Sequence, residues 1–242
     1  MAQAYDGQVT GESVSTHEIW GTVCGDSVSE VEEQINKLVD FGAVAIEIRL
    51  DLVPESLQNE FRGAIECGVP LWLAHFGNDG DEADQAYDIL HSWLSEDISG
   101  IICHSRHSRA EELCELARKN NKEFVGAYHT QSSPSTTELQ EELERQKKFD
   151  PSFRKIAVRP ESNSDVLDIL KVIAEKSYEG DVVGAIFGPH RWGRIALANV
   201  GSPISFITAE QIQNESGGFD MQFDYEEYDT LASIPNIMPE TK

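Results

Sequence analysis

The amino-acid sequence predicts a single (β/α)8 TIM barrel with a short polar N-terminal tail, on three observations. Apolar, β-branched runs recur about every 25–30 residues, and there are eight of them. Amphipathic stretches with helical spacing lie between the runs, which is the alternation of a parallel sheet covered by helices. Composition does not break anywhere along the repeat, and no GxGxxG follows an early strand, which removes the main support for an open dinucleotide-binding sheet.

In chain order, residues 1–17 (MAQAYDGQVTGESVSTH) lack the basic and apolar regions of a signal peptide and read as a mobile polar tail. The barrel is expected over 18–242. Its strands are expected at 18–24, 43–50, 69–75, 98–104, 123–129, 153–159, 181–187 and 203–208. The clearest helices are 29–41, with Val31, Ile35, Leu38 and Val39 at helical spacing, and 164–176, with Val166, Ile169, Leu170 and Ile173 on one face. Ser29 or Asp26 is the expected cap of the first and Ser164 of the second. Residues 81–97 predict another helix, with Ala83, Ala86, Tyr87, Leu90, Trp93 and Leu94 inward and the acids mainly outward.

The charge is far from balanced: 43 Asp and Glu stand against 19 Lys and Arg in 242 residues, a formal net charge of −24. Such a field argues against nucleic acid or an anionic membrane surface as partner. No apolar run approaches the ~18 residues of a membrane-spanning helix. Repulsion among the acids is weakened by salt, the Debye length falling from about 10 Å at 0.1 M to about 3 Å at 1 M. A cytoplasmic, halophilic setting is therefore expected. The four cysteines, Cys24, Cys67, Cys103 and Cys114, show no paired spacing and read as buried thiols.

Active sites of such barrels form where strands end. Lys155 sits in FRKIAVR among apolar neighbours; if it points inward, desolvation frees its amine near neutral pH, the requirement for imine formation with a ketone. The alternative is a lysine pointing out between helices. His129 ends the preceding run, as a proton shuttle beside that amine or as a hydrogen-bonded core histidine. Glu47, Arg49 and Asp51 alternate in AVAIEIRLDL, so all three are expected on one strand face, paired with a ligand or with one another.

The segments EIRLDL, AYHT, RKIAVRP with its following SDVL helix, and GRIALANVGSPISF resemble type I 3-dehydroquinate dehydratase, in order and spacing, over roughly residues 18–208. The resemblance implies a Schiff-base-forming barrel enzyme of the shikimate pathway, without a cofactor or metal, acting on the small anion 3-dehydroquinate. It implies Lys155 as imine former and His129 as general acid and base. Substrate binding would fall to Glu47, Arg49 with Asp51 in support, Arg194 on the carboxylate, Phe206 against the ring, Thr22 on the floor, and Gln222 in the covering loop with Ser216. Barrels of this family are often homodimers, and no interface can be read off the helices here.

The chain also departs from the family pattern. An Arg-Thr pair followed by an acid and two glycines usually ends the third strand; here the segment is HFGNDGDE, with His75 in the arginine's place and Asp79 near the acid's place. The usual Asp-x-Glu of the fourth strand is absent from ISGIICHS, which ends in His104. The Met-Gly segment before the arginine has become FGPHRWGR, beginning at Phe187. Two alternatives therefore stay open: a paralogous lyase or aldolase using the same lysine on another keto acid, and a metal-dependent hydrolase with His75, His104, His129 and His190 as ligands. A non-catalytic relative is a third.

Overall fold

The computed structural model describes residues 17–62, 67–77, 81–209 and 223–232. Residues 1–16, and with them nearly all of the expected tail, lie outside the described residues, as do Asp79, Ser216 and Gln222. His17, counted with the tail, belongs to the barrel: its Nδ1 donates to the Ser202 carbonyl at 2.8 Å and its Nε2 meets Ser205 Oγ at 3.0 Å.

Eight parallel strands form one sheet in the order β7-β6-β5-β4-β3-β2-β1-β8. They are β1 (Glu18–Val23), β2 (Ala45–Arg49), β3 (Leu71–His75), β4 (Gly100–His104), β5 (Glu123–Thr130), β6 (Phe153–Val158), β7 (Val182–Ile186) and β8 (Ile204–Thr208). The helices that follow them are α1 (Val28–Phe41), the short α2 (Glu55–Gln58), α3 (Asp81–Trp93), α4 (Ala110–Lys119), α5 (Thr136–Lys147), α6 (Asn163–Lys176), α7 (Gly193–Asn199) and α8 (Tyr225–Ala232). Each expected strand is present; seven are shorter than expected by one to three residues where the flanking positions turn toward a loop, and β5 runs one residue further, to Thr130.

Neither expected cap is the observed one: Ser27, between the candidates Asp26 and Ser29, caps α1, and Ser162, two residues before Ser164, caps α6. Ser27 accepts from Glu30 N at the start of α1, and Ser162 forms a reciprocal capping box with Asp165 at the start of α6. Ser29 and Ser164 lie inside the first turn, one step too late to reach an unpaired N–H. In α3 the pattern holds: Ala86, Tyr87, Leu90 and Trp93 are buried, and Asp84 and Asp88 are exposed. Cys24, Cys103 and Cys114 are buried, Cys67 is half-buried, and all four are free thiols. Burial pushes the Cys103 thiol up to about 12, leaving it inert.

Strand alternation divides the core in two. Outward side chains such as Ile46, Leu73, Ile101, Phe124 and Ile207 pack under helices. Inward ones fill the barrel: Trp20, Trp72, Ile102, Val125, Ala127, Val183, Ile204 and Phe206. At the N-terminal end the Trp20 and Trp72 rings lie 4.8 Å apart, with Phe153 edge-on to Trp20 at 6.0 Å. Gly100 makes this layer possible. A Cβ there would lie 2.7 Å from the Glu123 carbonyl oxygen, a backbone atom, and closer still to the Trp72 indole. Gly100→Ala is thus expected to destabilise the fold by about 1–3 kcal/mol by overpacking, read from urea unfolding midpoints.

Candidate active site

A cavity of about 580 Å³ opens at the C-terminal ends of the strands. It is lined by Arg49 from β2, His129 from β5, Lys155 from β6, Arg194 from α7 and Phe206 from β8, with Phe76 and His75 from the end of β3. Lys155 points inward and is 4 % exposed. Its register neighbours, Ala127 on β5 and Val183 on β7, have no polar atoms to offer it. Nζ lies 3.5 Å from Glu47 Oε1 and 3.5 Å from the centre of the Phe206 ring. Thr22 Oγ1 donates to the other Glu47 oxygen at 2.9 Å, anchoring the carboxylate beneath the amine.

Burial lowers Lys155 to about 8; Glu47 resists the shift, and Arg49 and Arg194 add to it. A lysine so poised offers free amine near neutral pH and can attack a ketone. His129, on the adjacent strand, is held well below the ordinary histidine value, first by desolvation and then by the positive field of Lys155 and Arg49. Its neutral Nε2 is buried without a hydrogen-bond partner among the described residues. A neutral imidazole beside a free amine can move protons at a reacting carbon.

The reading of Glu47, Arg49 and Asp51 on one strand face needs correction. β2 ends at Arg49, and Asp51 lies in a 3₁₀ turn, Leu50–Leu52. That turn folds the carboxylate back so that it takes both Arg49 Nε at 2.8 Å and Nη2 at 2.6 Å. Arg194 does two things at once. Its Nε donates to the Ile186 carbonyl of β7 and its Nη1 to the Phe206 carbonyl of β8 at 2.7 Å. Among the described residues it has no carboxylate partner, so it brings unbalanced positive charge to the cavity; burial lowers it to about 10.

The histidines do not converge as metal ligands. Arg106 N donates to His104 Nδ1 at 3.2 Å, so the ring proton sits on Nε2, which donates to the His129 carbonyl at 3.3 Å. His190 lies away from the cavity, on Asn163 Oδ1 and the Glu161 carbonyl. No group of three His, Cys, Asp or Glu suited to a metal occurs among the described residues. Two contributors escaped the sequence reading. Gln146 of α5 donates to the Lys155 carbonyl at 3.3 Å while bonded to buried Glu142. Phe76 stacks on His129, and the inward alternation Trp72, Ala74, Phe76 was the signal for it.

Curated 3-dehydroquinate dehydratases resemble the chain: that of Methanothermobacter thermautotrophicus is 25% identical over 189 residues, covering 74% of this chain and 81% of the relative. That of Methanosarcina acetivorans is 28% identical over 196 residues, with the same coverage. Among solved structures, 3-dehydroquinate dehydratase from Geobacillus kaustophilus superposes with a TM-score of 0.77 at 16% identity, covering 91% of each chain. The type I enzyme from Clostridium difficile gives 0.74 at 17%, covering 90% of this chain and 92% of that one; both likenesses speak for the fold. The family model of type I 3-dehydroquinase matches residues 74–223, well over half of the sequence. With that match the chain belongs to the type I 3-dehydroquinase family.

Proposed function

We propose that the protein is a cytoplasmic dehydratase of the shikimate pathway that converts 3-dehydroquinate to 3-dehydroshikimate and water through an imine on Lys155. The observation that carries this reading is the desolvated Lys155 amine on the strand next to a neutral His129 with an unpartnered Nε2. The Lys155 amine attacks the C3 ketone, and water leaves to give the iminium. That cation is the electron sink for the C2–H bond, whose proton His129 takes. The resulting enamine expels the C1 hydroxyl as water, with His129 returning the proton, and hydrolysis of the imine frees product and amine.

Glu47 and Arg49 hold substrate hydroxyls, with Asp51 fixing the Arg49 plane and Thr22 fixing Glu47. Arg194 takes the substrate carboxylate by charge-assisted hydrogen bonding. Phe206 packs against the ring. Gln222, the expected contributor from the covering loop, lies outside the described residues. No helix among the described residues is long and apolar enough to cross a membrane. The excess of 43 acids over 19 bases suits work in a salt-rich cytoplasm without nucleic-acid or membrane partners.

Three measurements check this. Borohydride added during turnover of 3-dehydroquinate should trap a mass increase on Lys155. Unmodified protein beside unchanged substrate would sink the dehydratase reading, and trapping only by other keto acids would move it to a paralogous reaction. The sign of the pH dependence follows from Lys155: its protonated form cannot attack, and its folded value is about 8. kcat/KM should therefore rise about tenfold per pH unit up to about pH 8 and level above it, because this ratio reports the free enzyme. A flat profile between pH 6 and 9 would contradict the assignment. Dialysis from molar KCl into dilute buffer should lower Tm, and an unchanged Tm would remove the salt adaptation.

A further inference from the structure

Phe76 takes no part in the chemistry assigned above, yet its ring stacks directly on that of His129 in the cavity. It directly follows β3 and is 7 % exposed. Its ring centre lies 4.1 Å from that of His129, at an interplanar angle of 20°. The Arg49 guanidinium carbon lies 4.6 Å from the same ring centre.

The two neighbours depend on it unequally. Arg49 is already clamped by two hydrogen bonds to Asp51. The His129 ring, by contrast, has no hydrogen bond among the described residues, and its Nε2 is buried and unpartnered. Working histidines usually have their plane set by a hydrogen bond at the second nitrogen. Without one, rotation about χ2 is limited only by packing, because that torsion is intrinsically broad. His75 and Phe76 stand where the resembling family usually carries Arg-Thr, and a threonine has no flat face to offer an imidazole.

We propose that Phe76 is a positioning residue whose ring fixes the plane of the His129 imidazole in the cavity. The contact stands by itself; its consequence for turnover rests on the dehydratase reading. Phe76 acts through His129, not on the reacting atoms.

The test compares the full-length protein in molar KCl with Phe76→Leu, which keeps apolar bulk without a ring, and Phe76→Tyr, which keeps the ring. The first readout needs no substrate. Proton signals of the His129 imidazole, identified by their loss in His129→Ala, should be displaced upfield by the Phe76 ring current. They should stay displaced in F76Y and move back toward free histidine in F76L. The second readout is the split between kcat and KM for 3-dehydroquinate. F76L should lower kcat about 10- to 100-fold, the scale of a misplaced catalytic group. KM should change less than about threefold, because Asp51 still holds Arg49. F76Y should recover kcat to within about threefold. In a His129→Ala background F76L should cost less than about twofold, since the two act as one unit.

Unmoved imidazole signals in F76L would overturn the proposal. So would equal losses in F76L and F76Y, which mark a space-filling role, or a full additive loss in the His129→Ala background. If F76L does not fold, Phe76→Met carries the same comparisons. If the wild type neither turns over 3-dehydroquinate nor is trapped by borohydride with it, the dehydratase reading fails, and the imidazole signals still decide the role of Phe76.

Discussion

The dryness of Lys155 is the constraint on which the rest of the site depends. An ammonium ion taken out of water into a barrel costs several kcal/mol unless it is paired or gives up its proton. Ala127 and Val183 flank the lysine, so no neighbouring strand compensates. Glu47 does so only in part: 3.5 Å is looser than a charge-assisted hydrogen bond, and Thr22 holds the other oxygen below. A tighter pair would restore the ordinary amine value and remove the nucleophile. Phe206 completes the balance, giving the charged form a π face at 3.5 Å without accepting a hydrogen bond. The amine is thereby stable in either protonation state near neutrality.

The same low dielectric explains how an acidic protein can hold an anion. Arg49, Lys155 and Arg194 face the cavity; Asp51, which pairs with Arg49, and Glu55 line it as well, and Glu47 lies beside the Lys155 amine. Arg194, with no carboxylate partner among the described residues, thus presents a positive group to the cavity of a strongly acidic chain. Exterior acids on α3, such as Asp84 and Asp88, act through solvent and are screened by salt; the buried cations are screened far less. Arg194 ties this charge to the architecture. β7 and β8 are the one neighbouring pair outside the hydrogen-bonded sheet order, and Arg194 bridges a carbonyl of each. Ser202 adds a second stitch, its hydroxyl accepting from Gly184 N at 3.1 Å. Arg194, the proposed anion-binding group, is thus also part of the barrel's closure, which fixes its position without a carboxylate partner among the described residues.

Much of this was legible in the sequence because barrel strands alternate with period two. Lys155 among Phe153, Ile156 and Val158 has only two possible orientations, and the eightfold repeat identified the end of the sheet where its partners lie. What was not legible depended on where strands stop. Asp51 shares the parity of Glu47 and Arg49 in the sequence, but the chain leaves β2 after Arg49 and a single 3₁₀ turn redirects it. The helix caps moved for the same reason, since several serines near a helix start can serve and backbone geometry selects one. Phe76 was hidden because an aromatic on an inward position reads as core, and only its distance from His129 separates it from filler.

The departures on the third and fourth strands make physical sense as one change. A buried third-strand arginine left without an acid to pair with would cost roughly 3–5 kcal/mol. Here neither that arginine nor the fourth-strand acids are present. His104 satisfies its two nitrogens on the Arg106 N–H and the His129 carbonyl, so it needs no ionic partner and burial keeps it neutral. Phe76 needs none either. Neutral, packed groups stand there, and both bear on His129: His104 holds its backbone carbonyl, and Phe76 lies against its ring. The positive charge that remains lies in Arg49, Lys155 and Arg194, which face the cavity, and His129 is held by contacts that do not compete for its Nε2.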